Sequence, residues 1–218
     1  KKNEKVNKPF KNTAFMLQKY NQLLKKYGYQ GWWPINGKYH PGNYSYPKNK
    51  QQQFEICVGA ILTQNTSWKN VDKAMKKLRE QKLLQPQKII NTPINKLSTA
   101  IKSSGYYHQK AKKLKIFAKF FIKLKATPTR HQLLELWGIG EETADSILLY
   151  AFKHPEVVVD SYTERLFNLH KKSYAEVKHL FEKSIPKDYK IYNEFHALIV
   201  EEGKISQRIN KGRKQFQK

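Results

Sequence analysis

The run Leu133-Leu134-Glu135-Leu136-Trp137-Gly138-Ile139-Gly140-Glu141-Glu142-Thr143-Ala144-Asp145-Ser146-Ile147-Leu148 constrains what this chain can fold into more than any other stretch. An apolar helix end runs into Gly-Ile-Gly, and a new helix begins at once. Glycines let the backbone turn tightly and come close to a ligand. Ile139, between them, can plug the turn into a core, and Ala144 permits close helix–helix contact. The free amides at the start of the second helix point outward, and the helix dipole favours an anion there. The residues admit an ordinary helical hairpin with a glycine cap, or a turn that binds phosphate without reading a base sequence. The apolar frame on both sides and the basic chain around it favour the second.

Charge supplies the anion. The 218 residues hold 42 Lys and Arg against 17 Asp and Glu, a formal net charge of +25. So large an excess destabilises a compact state by self-repulsion unless a polyanion relieves it. Nucleic acid is the first candidate partner and an anionic membrane surface the second. A lysine-rich proteome would account for part of the charge. The single cysteine, Cys57, excludes a disulfide framework and any four-cysteine zinc or iron–sulfur site, and fits a reducing compartment. No apolar run approaches the length that spans a bilayer, and the lysine-rich N-terminus lacks the apolar core of a secretory signal. A soluble, cytoplasmic protein is expected.

Apolar spacing predicts helices throughout. Residues 1–14 are polar and basic and are expected to fray; Phe15 to Tyr27 suits a helix stopped by Gly28. Residues 28–50 form a loop heavy with Trp32, Trp33, Tyr39, Tyr44 and Tyr46, which water would not normally keep. Phe54, Cys57, Val58, Ile61 and Leu62 make the stripe of an amphipathic helix. Another helix is predicted from about Ser67 to Glu80, and more at 86–90, 93–102, 108–124, 130–137, 141–152, 161–168, 173–182 and 188–200. Val157–Val159 is too short to build a sheet, so the class is all-α with short connections. In the run from Lys110 to Lys115 the lysines read as a solvated face, with Leu114, Phe117, Ala118 and Phe121 turned inward. The tail, residues 201–218, has the composition of a surface segment or a disordered end.

The Leu133–Leu148 stretch resembles the helix–hairpin–helix of the endonuclease III superfamily of DNA glycosylases. Segments in the same order as in that family strengthen the likeness: Glu55–Leu78, Ser104–Ala111, Val157–Leu166 and His196–Lys204. Together they span about residues 50–205, and the hairpin followed by an aspartate some twenty residues on is a specific combination. The resemblance implies two helical domains with a DNA-binding cleft between them. Residues 48–152 would form one; residues 1–47 with 153–218 would form the other. It implies backbone contacts to DNA from Gly138, Ile139, Gly140 and Thr143.

Read from the residues alone, Asp160 is a helix N-cap, and Ser161 with Glu164 suits a capping box. By resemblance it is the catalytic carboxylate. Hydrolysis of an N-glycosidic bond passes through an oxocarbenium-like sugar, which a fixed carboxylate stabilises while it orients the attacking water. Family members that also cut the strand carry a Schiff-base lysine where this chain has Glu142. The resemblance therefore implies a monofunctional enzyme. Glu142 reads equally as a first-turn acid suiting the helix dipole or as part of the base pocket.

An enzyme of this kind takes its base out of the stack. By resemblance Gln64 enters the vacated space, and Tyr106 is the second wedge; alternatively Tyr106 is a surface aromatic after a glycine turn. Trp32, Trp33, Pro34 and Phe54 are the candidates for an aromatic face that holds the base, with core packing the rival role for Phe54. Aromatic stacking rewards the positive charge of a ring-alkylated base. The likeness is greatest to the 3-methyladenine branch of the family, which lacks the iron–sulfur cluster. The resemblance thus implies a monomer that excises alkylated purines from double-stranded DNA without a metal or cofactor, apart from an optional monovalent ion at the hairpin. The rivals are a glycosylase for mismatched or oxidised bases, and a noncatalytic DNA-binding module in which Asp160 only caps a helix. The seven histidines show no metal-ligand spacing, and His170 and His179 read as surface residues.

Overall fold

The computed structural model describes residues 13–215, and it is helical throughout. Residues 1–12, expected to fray, lie outside the described residues. Among the described residues the backbone forms no sheet; Ile35 and Lys38 make an isolated bridge. No helix is long and apolar enough to cross a membrane. The helices are α1 (Thr13–Tyr27), α2 (Lys50–Leu62), α3 (Trp68–Glu80), α4 (Pro86–Asn91), α5 (Ile94–Ala100), α6 (Tyr107–Phe121), α7 (Arg130–Leu134), α8 (Glu141–Ser146), α9 (Ser161–Phe167), α10 (Tyr174–Ser184) and α11 (Tyr189–Gln215). A 3-10 turn, Lys102–Ser104, precedes α6, and a π-helical turn, Ile147–Ala151, prolongs α8.

Helix α1 packs on α10 and α11, with α9 against α11. Their shared core is aromatic: Phe167 lies edge-on to Phe181 and Phe195, and Tyr20 edge-on to Phe195. In the other group α6 receives α4 and α5, while α2 lies against α6, α8 and the π turn. The stripe on α2 was expected to leave a polar face. Instead every residue from Phe54 to Leu62 is buried, because neighbours cover the helix all round.

That burial includes Glu55, which accepts from the Asn36 amide at 3.0 Å and from Arg79 at 3.2 Å. Glu194 of α11 does the same for the other part of the heavy loop, taking the Gln30 amide at 2.6 Å and the Tyr44 hydroxyl at 2.7 Å. Burial pushes both carboxyls up, and these donors pull them back. Asn193 donates to the Trp32 carbonyl at 3.1 Å. The aromatic loop is therefore fastened by buried polar side chains at several points along its length.

Lys110 overturns the solvated-face expectation for its run. It is 1% exposed and donates to the Leu62 and Ser104 carbonyls at 2.8 and 2.7 Å. An ammonium that satisfies the C-terminal carbonyl of α2 has a reason to be inside. Burial pulls it down to about 8. The tail also differs: residues 201–215 continue α11, because Glu201–Ile205 are partly covered by the body. The side chains of Lys211, Arg213 and Lys214 lie outside the described residues.

A cluster centred on Asp145 of α8 locks the hairpin to the rest. The side chain is fully buried. It takes Arg130 Nε at 2.7 Å and Nη2 at 3.2 Å, the Tyr174 hydroxyl at 2.7 Å and Lys178 Nζ at 2.9 Å. Lys178 also pairs with Glu156. Removing one partner of a buried charge cluster costs about 3–5 kcal/mol. Asp145→Asn is expected to lose stability on that order in denaturant unfolding. The control Asp72→Asn, whose carboxylate is exposed, stays within about 0.5 kcal/mol.

Candidate functional site

The buried segment Val157–Val159 delivers Asp160 to the start of α9. Its position is fixed from the hairpin side: the Val159 amide donates to Tyr174 Oη at 3.3 Å, and that hydroxyl donates to Asp145. Asp160 is the N-cap. Its Oδ1 accepts the Thr163 amide at 2.8 Å and the Thr163 hydroxyl at 3.0 Å. The capping box expected of Ser161 and Glu164 is not formed, since Asp160 holds the cap and Ser161 is the first helical residue.

The other oxygen of Asp160, Oδ2, lies 3.5 Å from His196 Nε2 of α11. This is charge–dipole range and longer than a well-formed hydrogen bond. Burial alone pushes the Asp160 carboxyl up. His196 beside it and the Thr163 bonds more than offset that push and hold it below the ordinary carboxylate value. Asp160 is therefore an anion at neutral pH in a mostly enclosed place, 11% exposed.

Glu142 faces the same place from the first turn of α8. Its side chain is exposed, and protein nevertheless packs densely around it. Crowding, first, and the Asp160 charge, second, push it up to about 7. A first-turn acid that served only the helix dipole would be held down instead.

The aromatic expectations are sorted by burial. Trp32 is half-buried and meets Trp68, Trp33 and Tyr39 at centroid distances of 4.7, 5.3 and 5.4 Å. Lys204 Nζ stands 5.5 Å from its ring centroid. Trp33 and Pro34 are buried; Trp33 packs on Tyr150 at 5.1 Å and against Gly59. Phe54 is a core residue and not a pocket wall. It has no exposed surface and sits against Phe121 at 5.1 Å and Phe117 at 6.4 Å.

Tyr106 is 65% exposed at a left-handed position just before α6, where a wedge would stand. Gln64 is not free to project. Its amide donates to the Gly138 carbonyl at 2.9 Å and to Thr143 Oγ1 at 3.0 Å, and its oxygen accepts Lys113 Nζ at 2.6 Å. The neighbouring Asn65 is exposed, at φ 52°. In the hairpin, Gly138 has φ 82° and Ile139 is buried as expected. Gly140 is extended, with open space on its Cα. The first amides of α8 have no partner inside the helix and stand free for an anion.

His196, Tyr150, Lys204 and Trp68 were not assigned to the site from the sequence. They come from α3, the π turn and α11, and no local pattern marks them. His170 and His179 are exposed. Among the described residues, no group of three or more His, Cys, Asp or Glu side chains could hold a metal ion. Cys57 is buried in α2.

The profile of the HhH-GPD superfamily of base excision DNA repair proteins matches residues 58–187. A candidate DNA repair glycosylase of Methanocaldococcus jannaschii is 43% identical over 208 residues, covering 87% of this chain and 88% of that one. Endonuclease III of Thermotoga maritima is 27% identical, over 73% of this chain and 78% of its own. Among solved structures, the 3-methyladenine DNA glycosylase of H. pylori bound to 1,N6-ethenoadenine superposes with a TM-score of 0.73 at 28% identity, over 89% of this chain and 98% of that one.

The two hairpin glycines separate fold from contact. In Gly138→Ala the new Cβ meets the Lys113 stem and a left-handed backbone, which is expected to cost about 1–2 kcal/mol in denaturant unfolding. Gly140→Ala leaves stability within about 0.5 kcal/mol, because its Cβ meets nothing. It nevertheless weakens duplex binding, measured by fluorescence anisotropy, because the added methyl keeps a phosphate from the free amides.

Proposed function

This chain belongs to the HhH-GPD superfamily and is a DNA glycosylase of base excision repair, and on that premise we propose that it hydrolyses alkylated purines of the 3-methyladenine type from double-stranded DNA without cutting the strand. One observation carries the reading. An ionised Asp160 has Glu142 beside it, Lys204 both feels the Asp160 charge and stands over the Trp32 ring, and no amine stands at position 142, where the strand-cutting relatives of the resemblance carry one. Carboxylates and an aromatic face suit a cationic base. The ligand-bound neighbour from H. pylori, a 3-methyladenine glycosylase by its description, supports the same class. The helices of residues 48–152, and those of 1–47 with 153–218, would form the two walls of the DNA cleft.

The chemistry follows from charge. An alkylated purine already carries the positive charge that makes it a leaving group. The N-glycosidic bond breaks, the base takes the electron pair and departs neutral, and the sugar is left as an oxocarbenium ion. Asp160 stabilises that cation. Water adds to C1′ and its proton passes to solvent by way of the carboxylate. No acid is required to expel the base. The chain's own residues do not fit the iron–sulfur cluster of some relatives, because such a cluster needs four cysteines and the sequence has Cys57 alone.

Single-turnover release of base from methylated duplex tests the reading. Wild type is expected to free 3-methyladenine, Asp160→Asn to slow release by at least ~100-fold with duplex affinity kept, and nicks to show only after alkali. Equal release by both proteins would overturn the catalytic role. At subsaturating enzyme, the rate on the cationic lesion should rise as pH passes through about 7, where Glu142 ionises, and Glu142→Gln should flatten that rise. Glu142→Lys is expected to give no efficient borohydride trapping, since Schiff-base chemistry also needs the amine desolvated and aimed at the sugar. Trapping by the wild type would contradict the monofunctional reading and direct attention to Lys204, whose ammonium stands over Trp32.

A further inference from the structure

We propose that Tyr150 and His196 form a positioning relay that holds the Asp160 carboxylate, and the water it activates, in register with the sugar. The proposal rests on Asp160 being the catalytic carboxylate. Neither residue touches the base in this arrangement; both act through Asp160.

The geometry is a line of contacts. Tyr150 lies on the π-helical turn after α8 and is buried against Trp33. Its Oη is 2.6 Å from His196 Nδ1, and the opposite ring nitrogen, Nε2, is 3.5 Å from Asp160 Oδ2. Single π turns are rare in α-helices and occur often at functional sites. Here the turn is the element that carries Tyr150 to α11, with the Asn193 carbonyl of α11 3.4 Å away as a second, longer partner.

Proton placement follows from this line. Burial pushes the Tyr150 phenol well above its ordinary value, so it stays protonated. A phenol has one proton to give. Donated to Nδ1, it leaves the proton of a neutral imidazole on Nε2. If the imidazole is charged, Nδ1–H donates to Tyr150, which then donates to the Asn193 carbonyl, and Nε2 again carries a proton. The remaining tautomer would aim a bare lone pair at a carboxylate, which repels it. Both favourable states point N–H toward Oδ2.

That N–H has no direct hydrogen-bond partner, although it is buried. Oδ1 is already occupied by Thr163, so Oδ2 is the oxygen left for chemistry. A water touching both atoms accepts from Nε2–H and donates to Oδ2. One lone pair then remains to attack C1′. The other charges around Asp160 are Glu142 on α8, Glu164 on α9 and Lys204 on α11, so His196 is the donor that faces Oδ2.

The test reads Asp160 with and without substrate. Carboxyl NMR titration of the free protein, assigned with Asp160→Asn, gives the ionisation directly. His196→Leu is expected to raise it by about one pH unit. Tyr150→Phe, which frees the imidazole to turn, should raise it by less. His196→Gln keeps an N–H near Nε2 and should hold it near wild type. In single-turnover release from methylated duplex, the acidic limb of the pH profile should move by the same amounts. The plateau should fall about 10-fold in His196→Leu and recover in His196→Gln. Duplex affinity and circular dichroism should not change. Should His196→Leu fail to fold, Tyr150→Phe and His196→Gln carry the comparison. An Asp160 titration that stays within about 0.3 unit across the folded variants would overturn the relay. A shifted titration with no base release by the wild type would leave the relay standing and remove the substrate assignment instead.

Discussion

A buried carboxylate with several donors is the constraint on which the site depends. Asp145 has no exposed surface, so its charge is tolerable only if Arg130, Tyr174 and Lys178 arrive together. Those donors come from α7 and α10, and Asp145 itself from α8. The first two helices of the hairpin are thereby clamped, and the third is tied to them. Tyr174 then passes the constraint on, because its hydroxyl also takes the Val159 amide. The residue before Asp160 is set by the charge that sets the phosphate-binding turn. The hairpin turn and the proposed catalytic carboxylate share one origin.

The electrostatics of the cleft run against those of the molecule. A chain of net charge +25 attracts phosphate from every side, but Asp160 and Glu142 make the cleft locally acidic. On the proposed reading, long-range attraction brings the duplex in and short-range charge selects what sits at the centre. The rise of Glu142 to about 7 expresses crowding by the protein first and the charge of Asp160 second. A cation there relieves it.

Much of this was legible in the sequence because it is local. Gly138, Ile139 and Gly140 announce the turn by residue type and spacing, and Asp160 announces a helix start. Thr163, three residues on, completes the cap within the same turn. What was not legible depends on long-range convergence. His196 and Tyr150 stand 46 positions apart, and only the packing of α11 on the π turn joins them. Lys110 looked like one more surface lysine; the carbonyls that draw it inside belong to other segments. Phe54 and Trp33 have the right chemistry for a base pocket, but burial assigns them to the core. Trp32, in the same dipeptide as Trp33, is only half-buried.

The tether on Gln64 has a consequence for how such a protein moves along DNA. Its amide is bonded to Gly138 and Thr143, the residues beside which a phosphate would rest, and its oxygen holds Lys113. A side chain so held cannot also stand among stacked bases. Leaving its place forfeits hydrogen bonds of about 1 kcal/mol each. Intact duplex offers no gap to repay that loss, so under the wedge role that the resemblance implies the side chain would stay folded away there. A weakened base pair, already half out of the stack, would tip the balance, and the search for damage would become a competition between two sets of bonds to one glutamine.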